Sequence, residues 1–133
     1  MSEHDHGHEH GHGKAVLEGL REPGGALREQ IPDVYEGFSQ LNKAALREGY
    51  LDVKTKELIA FAIAVSKQCD GCIASHARGA ARAGASLQEA AEAIGVTFLM
   101  NGGPATVYGP RAYAAFREFR EQFARLTAAK SQG

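Results

Sequence analysis

The sequence predicts an all-α protein, one compact domain of about five to six helices. Three observations carry this. Apolar residues recur at the 3.6-residue period in each long segment between breakers. No segment alternates apolar and polar residues as a half-buried strand would. Alanine supplies much of the 44% hydrophobic content, and alanine has the best helix propensity at no side-chain entropy cost. A chain of 133 residues fits one domain.

Residues 1–13 (MSEHDHGHEHGHG) set His4, His6, His8, His10 and His12 between Gly, Asp and Glu. Nothing apolar follows Met1 there, so the segment has no face to bury and is expected to be a disordered tail. Its imidazoles have the composition of a metal-binding extension for Ni²⁺, Zn²⁺, Co²⁺ or Cu²⁺, with a merely solvated tail as the alternative. The helical domain is expected over 14–133. A short helical piece at 15–20 is expected to be interrupted by Pro23-Gly24-Gly25.

The first clear helix spans 33–48, with Pro32 at its opening and Gly49 at its stop. Val34, Phe38, Leu41 and Ala45 share one of its faces. A second helix covers 54–67. Its run Leu58–Val65 has a strand's apolar character, but the segment holds three alanines and neither Gly nor Pro. Apolar on all sides, it should be central or pressed against another subunit. A third helix runs from about Asp70 to Ala83, with Gly84 at its end. The fourth opens on the capping box Ser86-Leu87-Gln88-Glu89 and presents Leu87, Ala90, Ala91, Ile94, Phe98 and Leu99. Asn101-Gly102-Gly103-Pro104 breaks the chain, and Gly109-Pro110 marks a kink or second start. The last helix reaches about Leu126, with Tyr108, Ala112, Ala115, Phe116, Phe119, Phe123 and Leu126 as its buried stripe.

Several function classes find no support. Fifteen basic against sixteen acidic residues give a formal net charge of −1, which does not attract a phosphate backbone. The amino terminus lacks the apolar core of a secretory signal. The longest apolar run is eight residues, where a membrane span needs about 20. A soluble, cytoplasmic protein is expected, and in that reducing compartment two cysteines do not form a permanent staple. No cofactor is called for.

Chemistry concentrates at Cys69-Asp70-Gly71-Cys72, a C-x-x-C pair in the first turn of the third helix. Sulfurs three residues apart on one helix face can close a disulfide with little backbone movement. Unpaired N–H groups and the helix dipole favour a thiolate there. By that argument alone Cys69, nearest the helix end, is the more acidic. His76 stands one turn beyond Cys72 on the same side, where an imidazole can exchange protons with a thiol or leaving group. No βαβ pattern surrounds the pair, so any redox role sits on a helical scaffold. Two competing readings are core cysteines and a zinc site, for which only Cys69, Cys72 and His76 are available where four ligands are needed. Arg78, Arg82 and Arg111 read as helix-end or surface charges, and Tyr108 as a core aromatic.

Glu57, Cys69, Cys72 and His76 together form E-x11-C-x2-C-x3-H. This spacing, with KTKELIAFAIAVSKQCDGCIASHARGAARAGAS and EAAEAIGVTFLMNGGPATVYGPRA around it, resembles the alkylhydroperoxidase D-like (AhpD-like) branch of the carboxymuconolactone decarboxylase family over roughly 31–120. The resemblance implies an all-α fold and a homo-oligomer, a trimer or hexamer. It also implies a thiol-dependent peroxidase or disulfide reductase acting on a peroxide or disulfide, with a dithiol electron donor as partner. Carried over, Cys72 attacks peroxide to become a sulfenic acid, Cys69 condenses with it to a disulfide, and His76 and Glu57 relay protons. Gly71 stands where well-known peroxidase members carry a histidine, which shortens the relay. The family's decarboxylase branch lacks the cysteine pair, so lactone decarboxylation is an alternative reading. A non-catalytic oligomer with a metal-binding tail is another.

Glu57 poses a geometric question. Twelve residues of straight helix put it about 18 Å from Cys69. An antiparallel hairpin of the second and third helices would bring it nearer His76 than either sulfur, or it could act across a subunit boundary. By its position alone, beside Lys54 and Lys56, it reads as a solvated first-turn carboxylate.

Overall fold

The computed structural model describes residues 11–132; His4, His6, His8 and His10 of the expected tail lie outside the described residues. Six helices follow in order: α1 Lys14–Gln30, α2 Pro32–Leu46, α3 Val53–Lys67, α4 Asp70–Arg82, α5 Leu87–Asn101 and α6 Ala105–Gln132. Among the described residues there is no strand.

Helices α3 and α4 form the hairpin on which the site is built. The Asp52 carboxylate caps α3 by accepting from the Thr55 N–H at 2.8 Å, satisfying one of the orphan donors at a helix start. At the other end Gln68 adopts a left-handed conformation (φ 57°), a geometry that glycine normally supplies. The turn closes with Cys69 N–H donating to the Ala64 carbonyl at 3.2 Å. A two-residue connection therefore reverses the chain and delivers Cys69 directly to the start of α4. The capping box at α5 is present in both directions: Glu89 N–H to Ser86 Oγ at 3.0 Å and Ser86 N–H to Glu89 Oε1 at 2.8 Å. Lys54 Nζ also reaches Glu89 at 2.8 Å, tying α3 to α5.

The core lies where α3, α4, α5 and α6 meet, around Phe61, Ile73, Ile94, Phe116 and Phe119. Buried Ala77, Ala80 and Ala81 let α4 approach closely. The Phe61 and Phe116 rings are 6.1 Å apart and tilted by 50°, within the edge-biased geometry that aromatic quadrupoles prefer. Phe61 is fully buried, so Phe61→Ala is expected to cost about 3–5 kcal/mol in urea unfolding. A cost under about 1 kcal/mol would contradict this packing.

Some expectations are corrected, and one apolar face is found uncovered. Helix α1 does not stop before Pro23-Gly24-Gly25 but runs through them to Gln30. Proline there removes one backbone bond but already has a helical φ, and Leu17 anchors the helix against the core. Helix α6 likewise runs unbroken through Gly109-Pro110 and on to Gln132. Gly109 is a packing seat: a Cβ on it would come within 3.0 Å of Ile94 and 3.1 Å of Phe98. The stripe on α2 is not buried, since Val34, Phe38 and Leu41 are each more than 60% exposed and the helix has no buried residue. Leu87, Phe98, Leu99 and Leu126 are exposed too, because no other element among the described residues covers them.

The end of the expected tail is also placed. Gly13 is buried beside α6, and His12 borders a shallow cleft on the same helix. Glu118 Oε1 of α6 accepts from the Lys14 N–H at 2.9 Å, so a carboxylate from another helix caps α1.

Candidate thiol site

Cys69 is the N-cap of α4. Its extended backbone (φ −107°, ψ 100°) lets its sulfur accept from the Cys72 N–H at 3.3 Å. The sulfur takes the place of the usual serine or aspartate oxygen, facing the positive end of the helix dipole. Both cysteines are free thiols; Cys69 is half-buried and Cys72 exposed. Neither fills the core.

Cys72 holds its proton tightly. Its hydrogen bond with the Cys69 sulfur, partial burial and the adjacent Cys69 charge together push its thiol up to about 11. Because the folded chain keeps the Cys72 proton longer than an unfolded one, this coupling favours folding below the ordinary value of 9.0 and is lost as pH rises through about 11. In Cys69→Ala two of the three causes vanish, so the Cys72 thiolate should appear close to pH 9.0. Ultraviolet absorbance of the thiolate against pH reads this directly, and an unmoved titration would show that the coupling is absent.

The antiparallel hairpin brings Glu57 to His76. Glu57 Oε1 lies 2.7 Å from His76 Nδ1 within one chain. Glu57 is buried, with 9% of its surface exposed, so the reading as a solvated first-turn carboxylate is overturned. No partner subunit is needed to bring the two together. With the Nδ1–H tautomer donating to the Glu57 carboxyl oxygen, Nε2 is left for proton exchange. Burial of the carboxylate is made possible by Gly79 on α4, where a Cβ would overlap the Glu57 carboxylate.

Cys69, Cys72 and His76 open onto one cleft of about 550 Å³, walled by Ala60, Ile63, Ala64 and Lys67 of α3. The walls are mostly hydrocarbon, with one ammonium at the rim. On α1, Leu20 lies 3.3 Å from where a Cβ on Gly71 would stand, so a central side chain in the C-x-x-C turn would press against α1. Arg111 reaches within 4.0 Å of Asp70 and lies over the Tyr108 ring. Arg82 lies over Phe123, a surface packing role. Among the described residues no group of three or more His, Cys, Asp or Glu side chains is arranged to hold a metal ion. No described helix is long and apolar enough to cross a membrane.

Sequence reasoning did not single out Gly79, Gln68, Leu20 or the α3 wall. For Gly79 a signal was present: it lies three residues past His76, on the face turned toward α3, inside a run of alanines.

The sequence profile of the carboxymuconolactone decarboxylase family matches residues 32–121. A Cupriavidus necator protein is 37% identical over 77% of this chain and 91% of its own length. A crystal structure of a carboxymuconolactone decarboxylase family protein from Legionella pneumophila is 41% identical, covers 77% of this chain and 92% of that one, and superposes with a TM-score of 0.74. A Thermotoga maritima member, for which involvement in the antioxidative response has been suggested, is 32% identical, covers 75% of this chain and 91% of that one, and gives a TM-score of 0.64.

Proposed function

The chain belongs to the carboxymuconolactone decarboxylase family, and from that premise we propose that it is a thiol-dependent oxidoreductase of the alkylhydroperoxidase D-like branch. Its substrates are a peroxide or a disulfide, and a dithiol protein or small dithiol restores it in a reducing cytoplasm. One observation carries the reading. The Cys69 sulfur caps α4 and is hydrogen-bonded to the Cys72 N–H, while His76, held by Glu57, lines the same cleft. The suggested antioxidative involvement of the Thermotoga maritima relative supports the same direction.

The cycle balances as follows. Cys69 loses its proton toward His76, by way of the Cys72 thiol, which lies one helical turn from the imidazole. The Cys69 thiolate attacks the distal peroxide oxygen. An S–O bond forms, the O–O bond breaks, and the departing alkoxide takes the proton from the imidazolium to leave as an alcohol. The Cys72 thiol then condenses with the sulfenic acid, forming the S–S bond and releasing water. An external dithiol reduces this disulfide by exchange and is itself oxidised. Glu57 positions His76 by holding its Nδ1 at 2.7 Å. This order gives Cys69 the attack, exchanging the roles that family resemblance assigns to the two sulfurs, because the Cys69 sulfur is the one that faces the backbone N–H groups at the start of α4.

Counting free thiols before and after stoichiometric peroxide tests the function. Two should fall to none, and an added dithiol should restore both. Retention of two free thiols would remove the redox reading and leave lactone decarboxylation or a non-catalytic role.

A homo-oligomer, a trimer or hexamer, belongs to the same proposal. The α2 stripe is uncovered, and Ile59 and Ile63 of α3 are about half exposed. Ile63 also walls the thiol cleft, so a second copy laid on this face would complete the rim of the site. Light scattering of the full chain should give a mass above that of one chain; a monomer would count against it.

A further inference from the structure

A second cleft, of about 540 Å³, lies between α1, α4 and α6 and holds neither sulfur. We propose that it is a binding site for a small organic carboxylate with an apolar body and a hydroxyl group. Its volume is in the range of roughly 300–1,000 Å³ that small ligands occupy. The floor is hydrocarbon: Leu17 packs against the core and Phe119 is buried. Over that floor the rim is cationic. Lys14, Arg21, Arg28 and Arg78 border the cleft against one carboxylate, Glu18. Glu18 meets Arg21 only at 3.8 Å, with both side chains largely exposed.

Among the described residues neither Arg28 nor Arg78 has a carboxylate within ion-pair distance. Arg28 lies 5.1 Å over the Tyr35 ring, which holds its planar fork in place while leaving its N–H groups free to donate. A guanidinium presented in this way matches a carboxylate in two-point geometry. Gln122 of α6 also lines the cleft, and its Oε1 is buried without a hydrogen-bond partner. A buried acceptor of this kind is costly to leave unpaired, and a turn of the amide toward the cleft would pair it with a ligand hydroxyl. Gly24 and Gly25 complete the wall: a Cβ on either meets nothing within 4 Å. Two glycines inside a helix weaken it, and here their bare backbone keeps the cleft open. An apolar floor, a fork of positive charge and one unpaired acceptor together describe a hydroxylated apolar acid, rather than an inorganic ion or a polyanion.

The test is calorimetric titration of the full-length protein with para-hydroxyphenylacetate, with phenylacetate and para-hydroxyphenylacetamide as controls. One site per chain is expected, with the amide binding at least about tenfold more weakly and phenylacetate at an intermediate affinity. The double variant Arg28→Gln/Arg78→Gln should lose at least about tenfold in affinity while keeping the wild-type circular dichroism. Should that variant misfold, Gly25→Leu fills the cleft from α1 while keeping both arginines and should abolish binding on its own. The proposal is overturned by the absence of a saturable heat, by equal affinity for acid and amide, or by undiminished binding in a folded variant. Because the readout is binding, it is independent of any thiol turnover.

Discussion

Cys69→Ser should reduce dithiol-driven peroxide consumption by about a thousandfold or more, because it removes the attacking sulfur itself. Serine still fits the N-cap of α4 and can accept the Cys72 N–H that Cys69 accepts now, so the fold should be kept and the loss should be chemical. Cys72→Ser should behave differently. Cys69 is still oxidised, but nothing condenses with it, so one equivalent of peroxide is consumed and turnover then stops. A sulfenic-acid trap followed by peptide mass analysis should find the adduct on Cys69. An adduct on Cys72 in Cys69→Ser, with turnover stopped after one equivalent there, would return the attack to Cys72. Loss of neither activity nor thiols in either variant would end the redox proposal.

Gly79→Ala is the second substitution with a large expected effect, and it leaves every proposed reacting group in place. Two opposed contributions decide it. Alanine for glycine inside a helix is worth roughly 0.5–1 kcal/mol. Against that, the new Cβ must displace the Glu57 carboxylate from α4, breaking its 2.7 Å bond to His76. A hydrogen bond to a charged group contributes about 1.5–3 kcal/mol. The net expectation is a destabilisation of about 1–2 kcal/mol, with a protein that still folds, since the displaced atoms end a flexible side chain. Activity should fall by about a hundredfold, the lower end of what general acid–base groups supply. The diagnostic readout is the His76 Nδ1–H proton followed by proton nuclear magnetic resonance. Without the carboxylate that proton loses its acceptor, and its hydrogen-bonded downfield signal should disappear. A retained signal would show that Gly79 does not hold the pair together. The stability change alone would not.

The site was legible in part because its chemistry is local. A C-x-x-C turn followed one helical turn later by His76 is a spacing that any α-helix converts into a shared face, and the structure keeps Cys69 at the helix cap and Cys72 in the first turn. Ser86 and Glu89 were legible for the same reason, since a capping box is complete within four residues. Glu57 was different. Nineteen residues separate it from His76, and nothing near it in the chain says whether it faces water or α4. The turn at Gln68 and the absent side chain at Gly79 decide that.

The breakers show the same division. Pro23-Gly24-Gly25 and Gly109-Pro110 carry real local costs, yet α1 and α6 pass through both. Local preference is worth about 1–3 kcal/mol at such positions, and burial of Leu17, Ala112, Phe116 and Phe119 against the other helices outweighs it. The exposed stripe of α2 marks the opposite limit: period reveals that a face is apolar, never what covers it.

Helical class, the order of the main helices, their caps and the sulfur–imidazole spacing thus followed from the chain alone, because each depends on residues within one or two turns of one another. The union of Glu57 with His76, the passage of two helices through their prolines, and the cationic cleft beneath α1 were decided only by folding. Each depends on groups far apart in the chain, whose meeting is set by the packing of whole helices.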